Sequence, residues 1–381
     1  MTWTKYSLND VCDLITCGVA KRPNYVSTGI PFLSAKNIKK QKIIWNDFQY
    51  VSKNTHSELT KHNKPQKGDI LYTRVGSYGE AAIIDKDIEF SIFVSLTLIK
   101  PSNKVLNSYL TYYLNSPDIK ELAKNNISGS GVGNLNVGTV RKFPIFLPSL
   151  STQQKIVAKL DAIFAEIDKA TAAAEANVKN AKALFQSYLN QVFENEGNAW
   201  GVKNLCEISE NLDSKRIPIT KGVRQEGSIP YYGASGIVDY VKDFIFDGDI
   251  LLISEDGANL LARTYPIAFS VSGRCWVNNH AHVVRFQNIT SQKFVEFYLN
   301  SISLKPYVSG MAQPKLNQAM LNKIPIPFPD IEIQEKYLRL FESIKDSASI
   351  AMNSQERKIT ELNRLKQSIL KQAFAAELVT E

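Results

Sequence analysis

The sequence predicts an α+β protein of two tandem α/β domains separated by two long helices that form an antiparallel coiled coil, with a pseudo-two-fold internal repeat. Three observations predict it. Short matches recur in one order at offsets near 181 residues. Each half opens with strand-like runs and closes with a long heptad pattern. The net positive excess of the chain lies outside the heptad segments. The expected boundaries are 1–150 for the first domain, 151–197 for a central spacer helix, 198–330 for the second domain and 331–381 for a C-terminal spacer helix.

The repeat comes first because everything else hangs on it. Lys142-Phe-Pro-Ile-Phe-Leu-Pro148 returns as Lys323-Ile-Pro-Ile-Pro-Phe-Pro329, an offset of 181. The same offset carries Leu135-Asn136 onto Leu316-Asn317, Gln153 and Lys155 onto Gln334 and Lys336, and Phe193 onto Phe374. Gly68-Asp-Ile-Leu71 matches Gly248-Asp-Ile-Leu251 at 180, and Tyr113-Leu-Asn-Ser116 matches Tyr298-Leu-Asn-Ser301 at 185. Ile30-Pro31 and Ile229-Pro230 match at 199, so the fronts of the halves differ in loop length. A collinear set of this kind is not chance.

The fronts read as strands. Apolar, β-branched runs occur at Ile30–Leu33, Asp69–Thr73, Ala81–Ile84 and Phe93–Ile99, and again at Ile250–Ile253, Ile267–Val271 and Ala281–Phe286. Gly76, Gly79, Gly233, Gly236 and Gly257 punctuate them as turns require. One amphipathic helix is expected near Ser108–Leu122 and another near Gln292–Ser301. The backs read as long helices. Ile156, Leu160, Ile163, Ile167, Ala170, Ala174, Asn177, Ala181, Leu184 and Tyr188 form a heptad seam with one polar member, Asn177. Ser151 and Gln154 fit a capping box, and Gly197 can end the helix. The second copy shows Ile333, Tyr337, Leu340, Ile344, Ala348, Met352, Ile359, Leu362 and Ile369. Some 45 residues at 1.5 Å each give a rod of roughly 65–70 Å. Such a rod cannot bury its seam alone, and the repeat mate is the economical partner. Pseudo-two-fold pairing would be antiparallel and would set the two domains at opposite ends, spaced for two separated half-sites on one duplex.

Composition narrows the class. At 381 residues the chain calls for more than one domain, and 44% hydrophobic content is ample for burial. No run of 18 apolar residues occurs, so no membrane span is expected. Met1–Asp10 lacks a signal-peptide pattern, which points to the cytoplasm. Cys12, Cys17, Cys206 and Cys275 have neither disulfide-framework nor CxxC spacing and read as reduced core residues. Net charge is +8; the two helical segments carry −1 and zero, leaving +9 for the domains and favouring a polyanion partner.

Each repeat resembles the specificity subunit of type I restriction–modification enzymes. The resemblance is carried by Gly68-Asp-Ile-Leu71, by Phe143-Pro-Ile-Phe-Leu-Pro148 with Gln153-Gln-Lys-Ile156, and by Ile324-Pro-Ile-Pro-Phe-Pro329 with Gln334-Glu-Lys336. Tyr231-Tyr-Gly-Ala-Ser-Gly236, Glu255-Asp-Gly-Ala-Asn259 and Trp276-Val-Asn-Asn-His-Ala-His282 are typical of one subclass of target-recognition domain. The resemblance implies a subunit that is not itself catalytic, whose two domains each read half of a bipartite double-stranded DNA target. It implies docking of two methyltransferase subunits and, through them, restriction/translocase subunits. S-adenosylmethionine, ATP and Mg2+ would belong to those partners, with no cofactor in this chain. Ser309-Gly-Met-Ala-Gln313 fits the family's loop, whereas the first half has Ser128-Gly-Ser-Gly-Val132.

The residues offer no catalytic set. An amino-methyltransferase Asn/Asp-Pro-Pro-aromatic signature is absent, as is a Gly-Lys-Ser/Thr phosphate loop. Gly129, Gly131 and Gly133 make GxGxG rather than GxGxxG and read as a turn. Cys275, His280 and His282 lack the fourth ligand that a structural zinc requires, and read as packing or hydrogen-bonding residues. Pro117-Asp118 and Pro329-Asp330 lack the acidic-x-Lys continuation of a nuclease motif; Asp330 reads as a helix N-cap, and Asp69 and Asp249 as turn residues.

The candidate DNA-reading residues are Lys36, Asn37, Arg74, Ser77, Tyr78, Asn134 and Arg141 in the first domain. In the second they are Lys215, Arg216, Ser235, Asn259, Arg274, Asn278, Asn279, Gln313 and Lys315. Arg and Lys suit phosphate or guanine, and Asn and Gln suit adenine edges. A non-catalytic coiled-coil scaffold with incidental charge, or a DNA-binding protein outside restriction–modification, is the alternative reading.

Overall fold

The computed structural model describes residues 3–128, 133–310 and 313–375. The chain divides into two compact units, Met1–Ala174 with Arg357–Glu381, and Glu175–Glu356. Each unit therefore holds one α/β domain together with a stretch of both long helices.

In the first unit a central antiparallel sheet runs Cys12–Cys17, Leu96–Pro101, Ile70–Val75 and Ser77–Ile83 in spatial order. A small sheet runs Gln49–Val51, Ile30–Leu33 and Ser91–Ile92, the last pair parallel. Thr4–Ser7 pairs with Pro144–Leu147. The second unit repeats all three. Its central sheet runs Ser209–Asn211, Ala281–Phe286, Ile250–Ser254 and Ala268–Val271. Gly236–Val241, Glu226–Gly233 and Trp276–Val277 form the small sheet, again closed by a parallel pair. Val202–Asn204 pairs with Pro325–Pro327.

The repeated motifs hold these sheets together. Gly68 and Gly248 open the central strands at φ +91° and +99°, where a side chain would be strained. The Ile-Leu that follows is fully buried in both copies, as a strand covered on both faces demands. In Tyr-Leu-Asn-Ser, the tyrosine hydroxyl donates to a proline carbonyl, Tyr113 to Pro144 at 2.6 Å and Tyr298 to Pro325 at 2.7 Å. The asparagine closes a two-way amide bond with a strand backbone, Asn115 with Ala81 and Asn300 with Ala268. The glutamine in the first turn of each long helix donates to the proline carbonyl five residues earlier, Gln153 to Pro148 at 3.1 Å and Gln334 to Pro329 at 2.7 Å. Buried polar groups need such partners, and these motifs supply them.

The long helices span Leu150–Asn195 and Ile331–Phe374. Their ends dock in matched fashion. Phe193 lies edge-on against Phe294 and Tyr298, with ring centroids 5.5 and 5.0 Å away. Its repeat mate Phe374 lies against Tyr109 and Tyr113, at 5.3 and 5.1 Å. Within the second unit the helix segments run in opposite directions, since Tyr188 meets Phe341 while Glu196 meets Tyr337. In the first unit Lys366 pairs with Asp168 at 2.5 Å and lies over the Phe164 ring.

Several expectations are corrected. The first part of the seam holds, with Ile156, Leu160, Ile167 and Ala174 buried, but beyond Ala174 it shifts by one residue: Asn177 is exposed and Leu184 is 71% exposed, while Val178, Phe185 and Leu189 turn inward. In the second helix Ile333 and Leu340 are exposed, and Gln334, Leu338 and Phe341 are buried. Four residues advance a helix to about 40° from the starting direction and three to about 60°, so the position four along lies nearer the seam. The N-cap of the first long helix is Ser149, whose Oγ accepts from the Thr152 amide at 3.3 Å, rather than Ser151. Phe93–Ile99 is not one strand: the chain leaves the small sheet after Ile92 and enters the central sheet at Leu96. The expected helix near Ser108–Leu122 is two, Asn107–Leu114 and Pro117–Asn125, divided where Asn115 turns to the sheet and Pro117 starts afresh. Of the cysteines only Cys275 is buried; Cys12 and Cys17 are half-buried and Cys206 is exposed.

Candidate nucleic-acid interface

In the second unit, exposed polar residues gather round the C-terminal end of strand Ile250–Ser254. The hairpin tip bearing Ser235 is held there by the Ser254 hydroxyl, which donates to the Ala234 carbonyl. The Asn278 amide donates to the Tyr232 carbonyl at 3.0 Å, which brings the exposed Asn279 and His280 to the same end. His280 Nδ1 lies 2.8 Å from Asp256, and Lys315 Nζ lies 3.2 Å from Glu255. The Gly257 amide donates to Pro314, drawing the loop that carries Gln313 alongside. Met311 and Ala312 of that loop lie outside the described residues.

Beneath this surface is a buried charge network. Arg216 contacts Glu255 at 2.6 Å, the Ala281 carbonyl at 2.7 Å and Asp213 at 3.4 Å. His282 sits between Asp213, 2.5 Å from Nδ1, and the Leu316 carbonyl, 2.8 Å from Nε2. Burial by itself would raise the Asp213 carboxyl. The His282 hydrogen bond and charge, the Val283 amide and Arg216 outweigh it and hold that carboxyl below its ordinary range. Glu255 is likewise held low, burial being outweighed by Arg216, His282 and Lys315.

The first unit uses the same end of the matched strand. Ser77 and Tyr78 stand exposed at the turn after Ile70–Val75, and Asn134 pairs in register with Val75. The Asn134 Oδ1 is buried without a hydrogen-bond partner. Arg74 donates through Nε to the Leu135 carbonyl at 2.9 Å. Leu316 is the repeat mate of Leu135, so each unit satisfies the same carbonyl with a basic side chain drawn from a different strand. Gly129 and Gly131 lie outside the described residues.

Four of the expected DNA-reading residues are spent on partners inside the fold. Asn37 is 2% exposed; its amide donates to the Ile44 and Asn46 carbonyls and accepts from the Ser34 amide. Arg74 is 6% exposed and donates also to Val94. Arg216 anchors the network above, and Asn278, 8% exposed, accepts from the His280 amide. Two more are partly committed: Arg141 donates twice to the Ile15 carbonyl, and the Asn259 amide group clasps both the amide and the carbonyl of Tyr265. Arg274 lies apart, over the Phe244 ring and 3.4 Å from Asp247, at the opposite end of the central strand. Lys36 pairs with Asp47 at 3.3 Å and Lys215 is exposed on a short turn next to Arg216. His280, read from the sequence as a packing or hydrogen-bonding residue, is exposed beside Asn279 as a surface donor or acceptor. Among the described residues no group of three His, Cys, Asp or Glu side chains could hold a metal ion. No described helix is long and apolar enough to cross a membrane.

The charge is also less even than expected. Residues 1–150 carry 19 Lys/Arg against 11 Asp/Glu, or +8, whereas residues 198–330 carry 13 against 12, or +1. The second domain pairs its cations internally, through Arg216, Arg224 with Asp239, Arg274 and Lys315.

Comparison with known proteins agrees with the repeat. The family model of the type I restriction modification DNA specificity domain matches residues 1–178 and 198–362. A Haemophilus influenzae protein provisionally named a type I restriction enzyme specificity subunit is 33% identical over 159 residues, 42% of this chain and 40% of that protein. The EcoBI specificity subunit of Escherichia coli is 27% identical over 54% of this chain and 44% of its own length. The chain thus spans under half the length of these two relatives. The EcoprrI specificity subunit of Escherichia coli is 28% identical over 91% of this chain and 86% of its own. A solved chain from work on complex assembly and conformational transition of the type I R-M system shares the fold, with a TM-score of 0.75 at 18% identity over 99% of this chain and 98% of that one. Two family matches, one on each α/β domain and its following helix, place this chain in the family of type I restriction–modification DNA specificity proteins.

Proposed function

We propose that this chain is the DNA sequence-specificity subunit of a type I restriction–modification complex, reading a bipartite, non-palindromic target with one domain per half-site. The observation that carries the reading is the doubled docking: Phe193 and Phe374, 181 residues apart, pack on matched aromatic pairs of different domains. Each domain then takes the beginning of one long helix and the end of the other. An antiparallel coiled coil with a pseudo-two-fold axis satisfies this arrangement, and such a rod fixes a spacing between two readers.

Supporting the DNA partner, the exposed Ser77 and Tyr78 in one domain and Ser235, Asn279, Gln313 and Lys315 in the other sit at the same end of matched strands. Lys36, Asn134, Lys215 and Arg274 remain secondary candidates, as do the uncommitted groups of Arg141 and Asn259. The chain contributes no reacting group of its own in this reading. Two methyltransferase subunits and restriction/translocase subunits would dock on it in the cytoplasm and bring S-adenosylmethionine, ATP and Mg2+. Footprinting of the assembled complex tests the proposal: two protected patches with an unprotected gap are expected, and a single continuous patch or none would contradict it.

A further inference from the structure

The two domains differ most sharply between matched strands of the small sheet. In the second unit, strand Glu226–Gly233 turns straight through Ala234 and Ser235 into Gly236–Val241. In the first, residues 34–48 intervene between Ile30–Leu33 and Gln49–Val51. They fold into a second hairpin, Ile38–Lys39 against Lys42–Ile43.

This hairpin is costly in two ways. Its turn residues Lys40 and Gln41 have φ of +50° and +61°, a left-handed turn that normally takes Asn-Gly. Asp47, at +52°, is a third left-handed residue, so three of the four non-glycine residues of this kind in the described chain fall within eight positions. Lys39 and Lys42 face each other directly across the strands, a like-charge pairing that disfavours the hairpin. Both are exposed, and among the described residues neither makes an ion pair.

The surrounding structure nevertheless fixes the finger. The Gln41 amide donates to Glu80 at 2.5 Å, tying the turn to strand Ser77–Ile83, which begins with the exposed Ser77 and Tyr78. Asn37 clasps the carbonyls beyond, and the Trp45 indole donates to Asp85 at 2.8 Å. Strain that persists because its surroundings hold it in place marks functional positions. Two exposed lysines held in one cross-strand register by a fixed backbone can converge on an anion, and backbone phosphate is the anion a duplex offers.

We infer that the Ile38–Ile43 hairpin is a phosphate-gripping finger for duplex DNA, with Lys39 and Lys42 as its contacts and no counterpart in the second domain. The inference rests on the DNA-reading proposal above. It accords with the basic excess of the first domain, to which Lys39 and Lys42 contribute.

The test is a salt titration of the full-length chain against a random-sequence duplex. Each phosphate contact contributes about 0.9 to the slope of log affinity against log salt, so Lys39→Ala/Lys42→Ala should lower the slope by about 2. Between about 50 and 200 mM salt, the fall in affinity should then be roughly tenfold smaller than for the unaltered chain. Lys39→Arg/Lys42→Arg should keep the slope, and so should Lys179→Ala/Lys182→Ala on the long helix, which removes the same charge. An unchanged slope in the alanine pair with an unchanged melting midpoint overturns the inference, as does an equal drop in the helix pair. Absence of any duplex binding by the unaltered chain overturns the DNA-reading proposal as well.

Discussion

Replacing Arg216 with alanine separates a structural role from a reading one. The Arg216 side chain is 13% exposed and neutralises two carboxylates while also donating to the Ala281 carbonyl. Without it Asp213 and Glu255 remain buried, facing only His282 and Lys315. Breaking a buried pair by removing one partner costs about 3–5 kcal/mol, and the remaining cations favour the lower end, about 3 kcal/mol. For a unit of this size each kcal/mol moves the midpoint by about 2–4 °C, so the second unit should melt roughly 6–12 °C lower. Calorimetry or near-ultraviolet circular dichroism on the full chain measures the shift, and DNA affinity well below the transition should change little. An unmoved midpoint together with lost DNA affinity would refute the reasoning, because the guanidinium would then be a contact to the duplex.

Other outcomes follow from the same geometry. Lys315→Ala, at an exposed side chain, should leave the melting midpoint within a degree or two and weaken duplex binding in a salt-dependent way, which the titration described for the finger will show. Asn115→Ala and Asn300→Ala should each destabilise their own unit by about 2–4 kcal/mol, since each strands a paired backbone amide and carbonyl, whereas Tyr113→Phe and Tyr298→Phe should cost about 1 kcal/mol; urea titration checks the ratio. Asp213 and Glu255 are held below ordinary carboxyl values, so the unfolded chain binds more protons in acid. Their contribution is full above about pH 4–5 and is lost as pH falls through the lowered folded values; Arg216→Ala should flatten this part of the pH–stability curve. Iodoacetamide should label exposed Cys206 well before Cys275, whose thiol burial pushes up to about 12, and mass spectrometry of the modified chain will rank them.

Much of the fold was readable because its signals are local or repeated. Gly-Asp-Ile-Leu marks a turn entering a buried strand, and Tyr-Leu-Asn-Ser marks a helix end tied to a sheet, so each returns wherever that tie is needed. The seam of the first long helix held as far as Ala174 and was displaced beyond it, because the apolar stripe there offers both Leu184 and Phe185 and only packing against the domain chooses between them. The candidate reading surface was harder. Asn37, Arg74 and Arg216 are polar residues in loop-rich sequence, and most of their partners are carbonyls or carboxylates brought from as far as 65 positions away. The Ile38–Ile43 hairpin was hidden for a related reason: Lys40 and Gln41 are not turn-forming residues, and the Glu80 contact that ties Gln41 down comes from 39 positions away.

The most direct test of two independent readers is to map the methylated motif in DNA from cells that express this chain with the methyltransferase subunit proposed to dock on it. The map is then repeated after exchanging residues 1–150 for another first domain. A change confined to one half of the motif, with the other half and the intervening gap retained, is the expected result. Alteration of both halves, or a single undivided motif in either case, would contradict it.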